Sequence, residues 1–383
     1  MNVIFINTTL ESFTPTKSGA IGTWIWEVCQ AAQRDGEEPL VVTLDDDAEP
    51  YPWKNALYLD YPNHDFNKGW KRLLRKAFVL QAKYGGWYHM RHPAWARRVG
   101  DAIEGSGGER ASLILQNEPQ LAVVLRRRFP NAFILHLAQN QNTCSSRFRW
   151  RFGKAVNTAT AVSDFTARWN EEYFGIQVQT LLSGVNIEKF HPSDSPPPGP
   201  PLIGFVGRTV YDKGPDLLLE AARRVAEKNR NFGVQILGNT HFSHNEWDSY
   251  QQELHDQSKA LERDGVTIHK PGFVDRNSLP AELRKTQIHV HPARWDEAFG
   301  LATLEGMATG LATVASKTGG TPEIVGDAGF LVKRDSVDEL AARLGELVAS
   351  PSLRAEYGLK ARERAKQLTW NHTWQRLKAL LPS

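Results

Sequence analysis

Short apolar runs rich in valine and isoleucine recur along this chain, separated by stretches that are apolar on one helical face. VIFIN (3–7), PLVVTL (39–44), SLILQ (112–116), AFILHLA (132–138), TATAVS (158–163) and VQTLLSG (178–184) form a first set. LIGFVG (202–207), VQILG (234–238), VTIHK (266–270), IHVHP (288–292), ATVAS (312–316) and FLVK (330–333) form a second. Helix-like sequence fills the gaps, as in DLLLEAARRVAEK (216–228). A strand covered on both faces reads as a continuous apolar run, and parallel strands need a crossover between them. The alternation therefore predicts βαβ units and parallel sheets.

Between the two sets stands SDSPPPGPP (193–201). Consecutive proline and glycine can enter neither a helix nor a sheet interior, so this stretch is expected to be a linker. The 383 residues suffice for two or three domains. The expected architecture is α/β: two doubly wound, Rossmann-like domains facing across a cleft. The first spans 1–192, the linker 193–201, the second 202–365, and a terminal helix over 366–383 returns to the first domain. Its amphipathic run is WNHTWQRLKALL (370–381).

Composition narrows the class. No apolar run approaches the roughly 20 residues needed to cross a bilayer, and the start, MNVIFINTTLE, enters a strand with no basic leader. The expectation is a cytoplasmic protein, with Cys29 and Cys144 reduced and unpaired. A net charge of +3 is too small to argue for nucleic acid. Basic residues concentrate in 66–100, which has no acidic residue and carries Trp70, Phe78, Trp87 and Trp95. That segment reads either as a solvated helical face or as a patch resting on an anionic membrane. Arg147, Arg149, Arg151 and Lys154 add to the excess.

In doubly wound folds ligands sit beyond the carboxyl ends of the strands. After LIGFVG comes RTVYDKG, which sets Arg208 and Lys213 at a strand-to-helix turn. Two cations there can meet an anion, helped by helix amides and dipole, or stand as solvated charges. After IHVHP comes ARWDEAFG and then a short helix, LATLEGMATG. Gly300 at its start allows close backbone approach, and the first-turn amides lack helical partners. Glu297 precedes the helix and Glu305 lies inside it, seven residues intervening. Carboxylates accept hydrogen bonds from paired hydroxyls, which suits a sugar. Taken singly, Glu305 also reads as a solvated helix face and Glu297 as an acid serving the helix dipole. Asp45, Asp46 and Asp47 close a strand as a solvated loop would, and His289 and His291 share a strand face without an evident third ligand. No metal site is expected. Trp24, Trp26 and Trp295 can stack on sugar rings or fill the core.

"FVGRTVYDKG", "HPARWDEAFGLATLEGMATGLATVASKTGGTPEIV" and "AVSDFTARW…LLSGVNIEKFHP" resemble the nucleotide-sugar-dependent retaining glycosyltransferases of family 4, which have the GT-B fold. The resemblance runs through most of the chain and is strongest over 158–333. It implies that Glu297 contacts donor-sugar hydroxyls and that Glu305 holds the ribose. It implies that Gly207, Phe299, Gly300, Leu301 and Ala302 bring backbone to the donor. Arg208 and Lys213 would neutralise the leaving diphosphate, the task a metal performs in other glycosyltransferases. KSGAIGTWIWEV resembles the family's glycine loop, with Gly19-Ala20 where Gly-Gly is usual. A first-domain histidine is common at the end of the strand matching FILHLAQN. Here it is either His136 or missing, with Gln139 or Asn140 at the strand end.

The resemblance thus implies transfer from a nucleotide diphosphate-sugar, with UDP the default, to a hydroxyl of a glycan or lipid-linked glycan in cell-envelope or exopolysaccharide synthesis. It implies no metal or other cofactor. The other readings are a sugar-nucleotide epimerase or phosphorylase on a related scaffold, and a non-catalytic binding module.

Overall fold

A computed structural model of the chain describes all residues except 1, 10, 17, 46–47, 61–91, 145, 196, 241–246 and 383. It divides into two compact units, one of residues 1–181 and 374–383, the other of 182–373.

The first unit is built on a parallel sheet of seven strands: β1 (Val3–Ile6), β2 (Leu40–Asp45), β3 (Ala56–Asp60), β4 (Ser112–Gln116), β5 (Phe133–Ala138), β6 (Thr158–Ala161) and β7 (Gln179–Thr180). Their order is β3-β2-β1-β4-β5-β6-β7. The second unit has a parallel sheet of six: β8 (Leu202–Val206), β9 (Gly233–Leu237), β10 (Thr267–Gly272), β11 (Ile288–His291), β12 (Ala312–Ser316) and β13 (Phe330–Val332), in the order β10-β9-β8-β11-β12-β13. Each order reverses direction once, between β1 and β4 and between β8 and β11. Those are the switch points at which doubly wound sheets open a crevice for ligands. Both units are the Rossmann-like layers of the GT-B fold.

The cores explain why the runs are strands. Ile4, Ile6, Leu113, Leu115 and Ile134 are buried together, with Trp95 of the helix His92–Gly105 against them. Ile203, Phe205, Val234, Ile236, Ile288, Val290 and Val314 do the same in the second unit, covered by Leu218, Ala222 and Val225 of the helix Pro215–Ala226. Each large apolar side chain removed from water contributes about 2–3 kcal/mol.

Some elements differ from expectation. β3 has no continuous apolar run, since it is an edge strand whose burial is mixed along ALYLD. VQTLLSG yields only the two residues of β7. A Cβ at Gly184 would lie 2.3 Å from the backbone of both Thr369 and Trp370, so there the chain has left the sheet to lie on that segment. Arg362 then donates to the carbonyls of Ile187 (3.0 Å) and Phe190 (2.7 Å). These bonds place 182–192, ahead of the proline run, in the second unit. The terminal helix, Trp370–Ala379, belongs to the second unit through Thr373 and to the first from Trp374. Trp374 is fully buried and donates its indole N–H to Asp35 (3.0 Å), and Lys378 pairs with the same carboxylate (2.8 Å).

Of the tryptophans in the basic segment, Trp95 lies in the core; Trp70 and Trp87, like Phe78, lie outside the described residues, as do Asp46 and Asp47. Among the described residues no helix is long and apolar enough to cross a membrane.

Candidate functional site

At the carboxyl ends of β8 and β9 the backbone is drawn in tightly. The N–H of Gly207, just past β8, donates to the Leu237 carbonyl (3.1 Å), and that of Gly238, just past β9, to the Gly272 carbonyl (2.9 Å). Gly238 has φ +146, and a Cβ there would lie 1.9 Å from the Gly207 carbonyl oxygen. Arg208 follows, exposed, with no hydrogen bond or ion pair to any described residue. The chain then makes a 3-10 turn, Tyr211–Lys213, and reaches Gly214 at φ +68. A Cβ on Gly214 would meet the Pro292 carbonyl at 2.2 Å, so the turn lies against the end of β11.

The loop after β11 is fixed from two sides. Arg294 binds Asp216, at the start of the helix Pro215–Ala226, through both terminal nitrogens (2.7 and 2.5 Å), and Asp335 through Nε (2.8 Å). A Cβ on Gly319 would lie 2.0 Å from the Glu297 carbonyl oxygen, which instead accepts from the N–H of Gly320 (2.7 Å). Glu297 is therefore held by its backbone before its side chain makes any contact.

That side chain is 6% exposed. Its Oε1 pairs with the Lys213 ammonium and accepts from His291 Nε2 (3.0 Å). Burial alone would raise the carboxyl pKa. The Lys213 charge and the His291 bond outweigh that and hold it well below the carboxylate range. An ionised carboxylate only accepts, so His291 carries its proton on Nε2. Lys213 also stands over the Trp295 ring, 4.6 Å from its centroid. Neighbouring His289 is buried against Gly306, where a Cβ would touch its ring at 2.5 Å; burial keeps it neutral, with a pKa of about 3.

Glu305 is 3% exposed, not on a solvated face. Its Oε1 pairs with Arg276, while Oε2 is buried with no partner among the described residues. Between the two glutamates Phe299 is buried and Gly300 turns at φ +104 into the helix Leu301–Ala308. The N–H groups of Leu301 and Ala302 have no acceptor within that helix. The site thus gathers two cations and a helix start, suited to an anion, and two buried carboxylates, suited to hydroxyls. The sequence pointed to His291 only as a discounted metal ligand, and it did not single out Arg276. The alternation of IHVHP, which puts His291 on the strand face next to the loop, is the signal for the first. Arg276, the lone arginine of PGFVDRNSL, carried no comparable signal.

The first unit is arranged differently. The helix Ala20–Arg34 begins at Ala20, with Gly19 just before it, and two amides of its first turn are already used: Glu11 accepts from Ile21 (2.9 Å) and Gly22 (3.1 Å). A Cβ on Gly19 would strike that carboxylate at 2.6 Å. The glycine makes room for Glu11. His136 lies within β5, edge-on to Phe152 (4.9 Å), with Nε2 buried and unpartnered among the described residues; burial pulls its pKa down to about 3. The strand end carries Gln139 instead, bound to Gln116 (2.8 Å) and, through its backbone N–H, to Asn117 (2.7 Å).

At the first switch point Glu118 accepts from the Thr8 hydroxyl (3.1 Å). Burial pushes its carboxyl pKa up to about 7, partly offset by the bonds from Thr8 and Thr9. The folded chain therefore keeps a proton between pH 4.5 and about 7 that the unfolded chain has lost. Its stability contribution is fully present below 4.5, falls as pH rises to about 7, and is flat above. Glu118→Gln removes this slope. Urea unfolding should show the variant gaining roughly 2–3 kcal/mol on the wild type between pH 4.5 and 8. A constant difference across that range would show that Glu118 titrates normally.

Residues 186–364 match the family model for glycosyl transferases group 1. Spore coat protein SA of Bacillus subtilis (strain 168) is 25% identical over 285 residues, 68% of this chain and 74% of that protein. The D-inositol 3-phosphate glycosyltransferase of Nocardiopsis dassonvillei is 29% identical over 228 residues, 56% of this chain and 52% of that one, so the match spans about half of it. The crystal structure of Anabaena HepE in complex with UDP superposes with a TM-score of 0.72 over 99% of each chain, at 17% identity.

Proposed function

We propose that the chain, whose residues 186–364 match the family model for glycosyl transferases group 1, is a retaining, metal-independent glycosyltransferase using a UDP-sugar. The observation that carries the reading is the second switch point, where Arg208 and Lys213 follow β8, Glu297 and the helix start at Gly300 follow β11, and Lys213 pairs with Glu297. Charge develops on the departing diphosphate during transfer, and fixed cations and amides aimed there lower the barrier. Arg208 and Lys213 take the diphosphate, Glu297 the sugar hydroxyls and Glu305 the ribose. In the reaction the sugar C1–O bond to the diphosphate breaks and a C1–O bond to the acceptor hydroxyl forms on the same face. The acceptor proton passes to the leaving phosphate. UDP is favoured by the complex recorded for Anabaena HepE.

The acceptor is a glycan or lipid-linked glycan of the cell envelope or an exopolysaccharide, met by the first unit at the inner face of the membrane. Segment 66–100 supplies contact with anionic lipid; flotation with anionic liposomes at low salt tests this, and protein left in the soluble fraction rejects it.

The function is tested by thermal unfolding with UDP, GDP and ADP side by side, without added metal. A nucleotide at about 100 times its Kd adds roughly 2.7 kcal/mol, a Tm rise of about 5–10 °C. UDP should give the shift. No shift with any of the three removes the donor reading. A glycoside product then separates transfer from epimerisation, which forms none.

A further inference from the structure

Lys213 is already engaged when the donor site is empty of anion. Its ammonium is committed to Glu297 Oε1 and covered on one side by the Trp295 ring. Gly214 pins the backbone of its turn against Pro292, so the side chain alone is left to move. Arg208, at the same strand end, is exposed and unengaged among the described residues. The two cations of the site are thus in different states: one charge is open to an incoming anion, the other is already neutralised.

His291 makes a change of state feasible. Lys213 and His291 converge on the same oxygen, Oε1. A buried carboxylate stripped of its only partner is strongly destabilised. Here the departure of Lys213 leaves the His291 N–H in place on that oxygen. Resting on the donor reading above, we propose that Lys213 is a shared cation that a nucleoside diphosphate takes from Glu297, with His291 as the positioning residue that holds the carboxylate once the lysine has gone.

The exchange links two recognition events. While Lys213 neutralises Glu297, the carboxylate is a poor acceptor for a sugar hydroxyl. Once the diphosphate draws the lysine away, the His291 N–H alone holds Glu297, and the place on Oε1 that the lysine occupied is open to a hydroxyl of the same donor's sugar. After transfer the sugar is gone, and Glu297 competes for Lys213 again, which weakens the hold on the product nucleotide. A nucleotide-sugar therefore satisfies both charges, and a bare nucleoside diphosphate leaves Glu297 unserved.

Calorimetric titration of UDP, GDP and ADP, without added metal, into wild type, Glu297→Gln, Lys213→Met and the double variant tests this. A binding-competent lysine populated in a tenth of molecules weakens apparent affinity tenfold. Glu297→Gln should accordingly bind the nucleoside diphosphate about tenfold tighter than wild type, and the gain should vanish in the Lys213→Met background. Plain repulsion between Glu297 and the diphosphate would leave the gain intact without the lysine, and that result overturns the exchange. So does an unchanged or weaker Kd in Glu297→Gln while wild type binds. Binding by none of the four proteins overturns the donor reading as well.

For His291, a glutamine keeps a donor near Nε2 and a phenylalanine does not. His291→Phe should lower kcat about 10²-fold and also weaken UDP binding, because release of Lys213 then strands Glu297 without a partner, and His291→Gln should recover most of both losses. Equal kcat in the phenylalanine variant and wild type overturns the positioning role.

Discussion

Arg208→Ala is expected to lower kcat for sugar transfer by about 10²–10³-fold, the usual effect of deleting one fixed charge or donor aimed at a developing anion. Its stability should stay within about 0.5 kcal/mol of wild type, because the side chain is exposed and has no partner among the described residues. Lys213→Ala should lower kcat by a similar factor. It should also cost about 1–3 kcal/mol in folding, since it leaves Glu297 with His291 alone. The arginine is therefore the cleaner variant: lost activity there cannot be charged to lost fold. Steady-state kinetics beside urea unfolding separates the two effects. If both variants keep near-normal kcat, these residues do not bind the diphosphate.

Gly238→Ala should be the most destabilising single methyl in the site. The new Cβ would lie 1.9 Å from the Gly207 carbonyl, and φ +146 disfavours any side chain. Neither strand end can yield without breaking the bonds from Gly207 to Leu237 and from Gly238 to Gly272. The expected loss is about 3 kcal/mol or more, with weaker nucleotide binding because the chain carrying Arg208 starts at Gly207. Gly265→Ala is the control. It also has positive φ, +88, but nothing within 4 Å of a Cβ, so it should cost only about 1–2 kcal/mol. Equal losses in the two would show that backbone strain, and not the contact with Gly207, sets the effect.

Much of this was legible before any coordinates. Strands covered on both faces have to be continuous apolar runs, so LIGFVG and IHVHP marked the two strand ends that flank the site. Arg208, Lys213, Glu297 and Glu305 stand close to those ends in sequence, so the fold class alone directed attention to them. What was hidden is pairing across distance. Lys213, His291 and Glu297 come from the turn after β8, the end of β11 and the loop beyond it, and nothing local fixes which side chains meet. Arg276 reaches Glu305 from after β10 in the same way. Glu11 lies in a loop with no regular pattern, yet it takes the amides of Ile21 and Gly22 just past Gly19 and Ala20. The split of the chain at 181 was obscured by the conspicuous prolines a few residues on, because a linker composition marks where chain is irregular and not which core its flanks join.

The first unit is closed by residues 374–383. A chain is synthesised from its N-terminus, so the first unit cannot close until the whole of 182–373 has been made and Trp374 follows it. The earlier-made half is thus the later to mature. Its last step is a contact between Asp35 and Trp374, across nearly the whole sequence, and contacts of such separation form slowly. Until that contact forms, the buried seat of Trp374 in the first unit stays open to water.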